Sequence, residues 1–449
     1  MKNQIVTFLF FWLGQISFFI FNFISSKELS TSEYGVYSIV LAVIMFGMRF
    51  MEVGIGDYYV IKGSEDKLKT IFTINLIKGF VIMGVFLCSS FFLDDFYNSN
   101  VLFPLIFASS FIFILEPLKN PMLYKFYKEK RMIPVVITER ASYLLSSIIG
   151  IVLMLYFKSI WVLIFMYIFY FSSQILLSYI LLPNFPISKF NRSYAKEILT
   201  FSKHIIGFIL LTYFIRQGLD LIIPKLIGIP NFAVYSFTFL IGVSPTNFLI
   251  YPFNKLIYPI YTSEVINNSL GMIVNKVLVK VLYLMIFLSL TIYYFSPLIL
   301  KLLDHTKLFD YKLLGAVLLY GLFRGIAATL GTIYKALNLQ KRYNKVLIIE
   351  ALIIFGLLVV FNQSAIIIMM VLGIAMVVHL TVGLIVLRRS VELDLKKLIL
   401  NMMIGLILIF IELFLSNYFI IPLVILNALI FMVLLIKFFT SLKHYFIKS

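Results

Sequence analysis

Between Ile5 and Ile24 the chain runs for 20 residues without a charged side chain, and no other feature limits its fold so strongly. Inside hydrocarbon a backbone amide finds no water, so only a helix or a closed barrel can cross, and about 20 apolar residues make one helical crossing. The run is too long for a removable signal peptide and lacks a small-residue cleavage site, which makes it a permanent span. Thirteen comparable stretches follow it, at residues 36–56, 71–93, 101–118, 135–157, 160–182, 201–223, 232–253, 277–300, 311–334, 346–361, 365–387, 398–415 and 418–436. The pattern predicts an all-α polytopic membrane protein of about 14 transmembrane helices. Hydrophobic residues make up 62% of the chain and charged residues 13%, too little polar surface to keep a soluble protein of this size dispersed.

Charge placement orients the spans. Cytoplasmic loops collect Lys and Arg. With the N-terminus inside, the inner loops and tails hold 27 of the 38 basic residues, the outer loops 6 and the spans 5. Adding or dropping one helix would scramble this alternation, so an even count with both termini cytoplasmic is expected. The net charge of +18 then follows from basic loops held beside anionic membrane lipids, and no nucleic-acid partner is needed. The single cysteine, Cys88, sits in a span, and the four histidines, His204, His305, His379 and His444, show no ligand spacing. No metal site or bound cofactor is expected, a coupling proton or Na+ excepted.

No loop is long enough to fold as a domain; the longest, 119–134, 183–200 and 254–276, are all cytoplasmic. The chain also repeats itself. Asn22, with Gly35-Val36-Tyr37-Ser38 thirteen positions on, matches Asp220, with Ala233-Val234-Tyr235-Ser236 at the same spacing, an offset of 198 residues. That offset lays span one on span seven and span two on span eight. Six helices per unit is even, so the halves would be parallel repeats about an axis along the membrane normal, with the substrate path between them. The expected organisation is an N-lobe at 1–190, a C-lobe at 191–390, and helices thirteen and fourteen with a basic tail at 391–449.

The run from Lys27-Glu28-Leu29-Ser30 to Tyr34-Gly35-Val36-Tyr37-Ser38, after a span containing Gln15, resembles the first outer turn of the polysaccharide-unit flippases. These belong to the multidrug/oligosaccharidyl-lipid/polysaccharide exporter superfamily. Gly218-Leu219-Asp220 through Ala233-Val234-Tyr235, then Pro245, Pro252 and Pro259 before Tyr261-Thr262-Ser263, is similar to the seventh and eighth spans of the same family. Many O-antigen flippases have twelve spans, while fourteen occur in the lipid II flippase branch. The resemblance implies translocation of an undecaprenyl-pyrophosphate-linked oligosaccharide from the inner to the outer leaflet of a bacterial cytoplasmic membrane, by alternating access, for surface polysaccharide assembly. A polysaccharide polymerase and its chain-length machinery are the implied protein partners, and no enzymatic activity is implied. A multidrug or cation antiporter on the same fold is the alternative.

Charged residues within spans cost roughly 2.5–3.5 kcal/mol each at a helix centre, so their positions are informative. Arg49 lies roughly 20 Å below the outer face, at 1.5 Å per residue. Arg324 is near the middle of span ten, and Arg216 is in the outer third of span seven. Lys78 and Arg140 are close enough to the inner face to snorkel. These five are the expected substrate-binding residues, suited to a pyrophosphate head group. Arg49 and Glu52 are three apart, and Arg216 and Asp220 four apart, so each pair can also neutralise itself. Glu52, Glu116, Asp220 and Glu412 are the acids considered, with Asp220 and Glu52 as the coupling-ion residues. Asp220 is followed by Pro224, which marks its helix as one able to bend. Asp94-Asp95, the one adjacent outer acidic pair, sits in a connection too small to build a sugar-processing site.

Overall fold

The computed structural model describes residues 2–404 apart from 52–53, 130, 183–184, 186–188, 217, 267–269, 303–307, 397 and 402. Every element among the described residues is helical, and there is no strand. Eight helices are long and apolar enough to cross a membrane, or ten if each of two sharply bent pairs is one span. Each of the first twelve expected spans falls on helix, beginning with Lys2–Glu28 and Thr31–Met51 and ending with Tyr311–Ala336, Gln340–Val360 and Ala365–Arg388. Span thirteen lies mostly, and span fourteen wholly, outside the described residues.

The distribution of side chains matches hydrocarbon rather than water as solvent. Phe92, Tyr156 and Val359 are 72%, 81% and 80% exposed, whereas Ser25, Ser90, Ser109, Ser146 and Ser178 are fully covered. Lipid tails are as apolar as Phe or Val, so no force drives these side chains inward, and small polar residues let helices approach closely. The serines satisfy themselves within their own helices: Ser25 Oγ donates to the Phe21 carbonyl at 2.7 Å and Ser147 Oγ to that of Tyr143 at 2.8 Å.

By packing, the chain divides into Met1–Ser236 and Phe237–Ser449. In the first unit span one packs on span five, five on six, three on four, two on four and four on six. In the second, nine packs on ten, the latter part of eight on ten, ten on twelve and eleven on twelve. Four of the five pairings thus recur at the repeat offset. Span seven behaves differently: its helix, Arg192–Arg216, lies on spans two and three within the first unit.

The sequence motif of the first outer turn is explained by local geometry. Ser30 Oγ accepts from the Glu33 amide at 3.3 Å while a Glu33 carboxylate oxygen accepts from the Ser30 amide at 2.9 Å, a capping box that starts span two. The Tyr37 hydroxyl donates to Asn22 Oδ1 at 2.9 Å, locking the two helices of this hairpin together. A Cβ on Gly35 would stand 2.4 Å from the Ile229 carbonyl oxygen, so only glycine admits that approach. Asp94 also serves structure, since one of its carboxylate oxygens accepts from the Leu102 and Phe103 amides at 2.9 and 3.0 Å and caps span four.

Among the described residues several spans are broken, spans five, seven and eight among them. Span seven passes from Arg192–Arg216 into a 3₁₀ turn, Gly218–Leu221, and then the short helix Ile223–Ile227. Span five contains the π-turn Ile137–Ala141 just after Pro134, and span eight contains Thr246–Ile250 just after Pro245. Such interruptions release backbone groups from the regular ladder and are concentrated at functional positions.

Candidate functional site

In the first unit, residues expected to act separately converge. Arg49, half-buried in the last turn of Thr31–Met51, and Asp220, in the 3₁₀ turn of span seven, both lie within electrostatic reach of the Tyr213 hydroxyl. Tyr213 is buried and donates to the Ala42 carbonyl at 3.3 Å. Phe46 stands 5.3 Å from the Tyr213 ring and 5.7 Å from that of Phe214. The Tyr97 hydroxyl donates to the Leu221 carbonyl at 2.6 Å and anchors the turn that carries Asp220. Lys78 donates to the Met51 carbonyl at 2.6 Å. It therefore holds the C-terminal end of the Arg49 helix, where a cation also complements the helix dipole. Arg216 ends the helix Arg192–Arg216, and its side chain lies outside the described residues, as do Glu52 and Glu412.

A second group of charges gathers in the same unit, around spans four to six. Glu116 and Lys119 pair at 2.6 Å with side chains only 16% and 22% exposed. Glu139 and Arg140 come from the π-turn of span five, and all four charges act on the hydroxyl of Tyr170 in span six. Arg140 thus sits in a mixed cluster of two acids and two bases rather than alone at the interface.

In the second unit Arg324 is 7% exposed. Its guanidinium carbon lies 5.8 Å from the Phe239 ring centre and 6.0 Å from that of Tyr320. Close packing fixes this region: a Cβ on Gly321 would stand 2.6 Å from the Gly242 carbonyl oxygen, and Thr246 Oγ1 donates to the Gly321 carbonyl at 3.0 Å.

Two span acids fall outside the set considered from sequence, Glu139 and Glu350. Glu350 lies in span eleven and meets His379 of span twelve, oxygen to Nδ1, at 2.7 Å. The sequence carried no periodic signal for this pair, because its members sit on different helices 29 residues apart.

Residues 28–306 match the family described as polysaccharide biosynthesis protein. The chain belongs to that family. No curated protein matches the sequence. Among solved structures, this family member superposes on a lipid II flippase, MurJ, in an inward closed conformation, with a TM-score of 0.69 at 15% identity over 96% of this chain and 99% of that one. A mutant of the Vibrio cholerae MATE transporter VcmN gives 0.57 at 15% identity, covering 86% and 97%. An inward-facing multidrug resistance MATE transporter of the MOP superfamily gives 0.56 at 12% identity, covering 86% and 93%. The polysaccharide biosynthesis protein therefore has the fold shared by these transporters.

Proposed function

We propose that this protein is a flippase that carries an undecaprenyl-pyrophosphate-linked oligosaccharide from the inner to the outer leaflet of a bacterial cytoplasmic membrane for surface polysaccharide assembly. The reading is carried by one conjunction: a polysaccharide biosynthesis family match over 28–306 on a chain with the lipid II flippase fold over nearly its whole length. Fourteen spans with both termini cytoplasmic, arranged as two six-helix repeats plus two further helices, complete the architecture. The recurrence of helix pairings at the repeat offset supports the duplication.

Transport runs by alternating access. Arg49, Arg216 and Arg324 hold the pyrophosphate, with Lys78 and Arg140 positioning the helices around them. Asp220 and Glu52 take the coupling ion. The shared reach of Arg49 and Asp220 to Tyr213 suggests how the two are linked. An anionic head group arriving at Arg49 offsets the positive charge near Asp220, and Asp220 then gains affinity for a proton or Na+. Cargo and coupling ion so favour one another's binding. A polymerase and chain-length machinery would take the delivered unit at the outer face.

Reconstitution tests this directly. Purified protein in proteoliposomes should move a fluorescent undecaprenyl-pyrophosphate glycan to the outer leaflet, seen as accessibility to a membrane-impermeant quencher. Counter-transport of an organic cation without glycan movement would favour the multidrug antiporter that the same fold also carries.

A further inference from the structure

The second unit contains a buried acid–base group that the transport reading does not use. Glu350 and His379 are 3% and 1% exposed and meet at 2.7 Å between the helices of spans eleven and twelve. The Tyr343 hydroxyl lies 3.3 Å from Nε2 of the same imidazole and 3.4 Å from the Ala327 carbonyl oxygen of span ten. Three helices thus meet in one chain of polar atoms; Leu347 and Ile354, one turn either side of Glu350, and Leu372, Ala375 and Met376, within two turns of His379, are all buried. Replacing a buried ion pair by packed apolar residues is often neutral or stabilising, so such a group in a membrane interior calls for a use.

We propose that Glu350, His379 and Tyr343 form a proton-binding site. A carboxylate can only accept, so the contact at 2.7 Å requires Nδ1–H to donate to it. With no further proton the pair carries one negative charge, and bare Nε2 accepts from Tyr343. Taking one proton from water forms an N–H bond at Nε2 and makes the pair neutral overall. Nε2–H then donates to the Tyr343 oxygen, and the tyrosine hydrogen turns to the Ala327 carbonyl. The two macroscopic states differ by one proton whichever atom of the pair holds it. They also differ in whether span eleven is bonded to the backbone of span ten at Ala327, one turn from Arg324.

The ionisable groups around the pair come from all three helices. Tyr343 and Glu350 lie on the helix of span eleven, and Tyr334 from span ten packs at a tilt against Tyr343 with ring centres 5.0 Å apart. Tyr334 itself donates to the Gly383 carbonyl of span twelve at 2.6 Å. Arg342, which bonds Ser390 at 2.8 Å, lies in the first turn of span eleven and acts on Tyr334. Lys335 on span ten points to the Tyr258 ring, 5.5 Å away. Arg324, further along span ten, faces Phe239 and Tyr320.

The link to transport rests on the flippase reading; the proton site itself does not. The test uses the full-length protein in lipid nanodiscs without cargo, labelled with ¹⁵N-histidine and read by nitrogen NMR as pH is varied. His379→Gln identifies the signal among the four histidines. Nε2 of His379 should convert reversibly between bare and protonated states, and the conversion should differ between wild type and Glu350→Gln, with Tyr343→Phe closer to wild type. An Nε2 signal that stays constant between about pH 5 and 9, or one that titrates identically in Glu350→Gln, overturns the proposal. Should His379→Gln fail to fold, Tyr343→Phe keeps both charged partners and reads the same site. In proteoliposomes, a wild-type protein that flips glycan and a His379→Gln variant that has lost its response to a pH gradient support the coupling. An unchanged response removes the coupling role, and a wild type that flips no glycan refutes the flippase reading while leaving the NMR result intact.

Discussion

Arg324 gives the most direct test of where the cargo's charge is held. At 5.8 and 6.0 Å from two ring centres its guanidinium is at the outer limit of a cation–π contact, so both rings together contribute about 1 kcal/mol. A central arginine costs roughly 2.5–3.5 kcal/mol to insert. Arg324→Met removes that insertion cost and keeps an unbranched chain against Phe239 and Tyr320, so it should be produced and inserted at least as well as wild type. Any functional loss then reports the missing charge. A charge-assisted hydrogen bond to phosphate is worth roughly 1.5–3 kcal/mol, or about 10–100-fold. Glycan flipping in proteoliposomes should slow by that factor, and cells should accumulate lipid-linked precursor on the inner leaflet. Arg324→Lys should recover only part, because an ammonium lacks the planar fork that grips phosphate. Wild-type flipping by Arg324→Met would show that the residue serves structure alone. Loss of the protein from the membrane would refute the energetic balance and shift the test to Arg49 and Arg216.

Three further outcomes are expected. Gly321→Ala should lower the melting temperature in detergent, by the equivalent of about 1–3 kcal/mol, because its Cβ meets the Gly242 carbonyl oxygen at 2.6 Å; Gly356→Ala, with nothing within 4 Å, should be neutral or raise it, and equal shifts would refute the packing argument. Hydrogen bonds from Tyr58 and Lys67 hold the Glu197 carboxyl below its usual range, so that tie is present above the unfolded carboxylate value of about 4.3 and is lost as pH falls through the lower folded value. The mobility of a spin label attached at Ser193→Cys before acidification should rise only in that acid window in wild type, and in Glu197→Gln the window should disappear. A cysteine in the turn at 94–100 should label from outside and one near Arg388 only from the cytoplasm; the reverse pattern would refute the topology.

The membrane class, the helices on which the first twelve expected spans fall and the pieces of the motif at 27–38 were legible because each depends on residues near one another in the chain. Hydropathy over 20 positions reports burial in lipid directly, and the capping box at Ser30–Glu33 is a spacing of three. Pairings between helices were not legible. Sequence reading matched Arg49 to Glu52 and Arg216 to Asp220, since a helix places residues three or four apart on one face. Glu52 and the Arg216 side chain lie outside the described residues, while the fold brings Arg49 and Asp220, 171 positions apart, within electrostatic reach of the same tyrosine hydroxyl. Lys119 read as one more inner-loop cation, yet it is mostly covered and bound to Glu116.

His379 and Glu350 mark the limit of that reading most clearly. An isolated histidine in an apolar run gives no spacing to interpret, and a glutamate one turn inside a span resembles any helix end. Their meaning arises only when two neighbouring helices bring a base to an acid in a buried place. In a soluble protein the surface offers such residues many partners, and chance pairings are common and weak. In a membrane span each ionisable side chain carries an insertion cost that local sequence cannot relieve, so its partner must come from across a helix interface. An ionisable residue in a span without a complement one turn away is therefore a sequence-level pointer to a contact between helices. Glu350 and Arg324 both fit that description, and they lie on neighbouring spans of the unit that carries the proposed proton site.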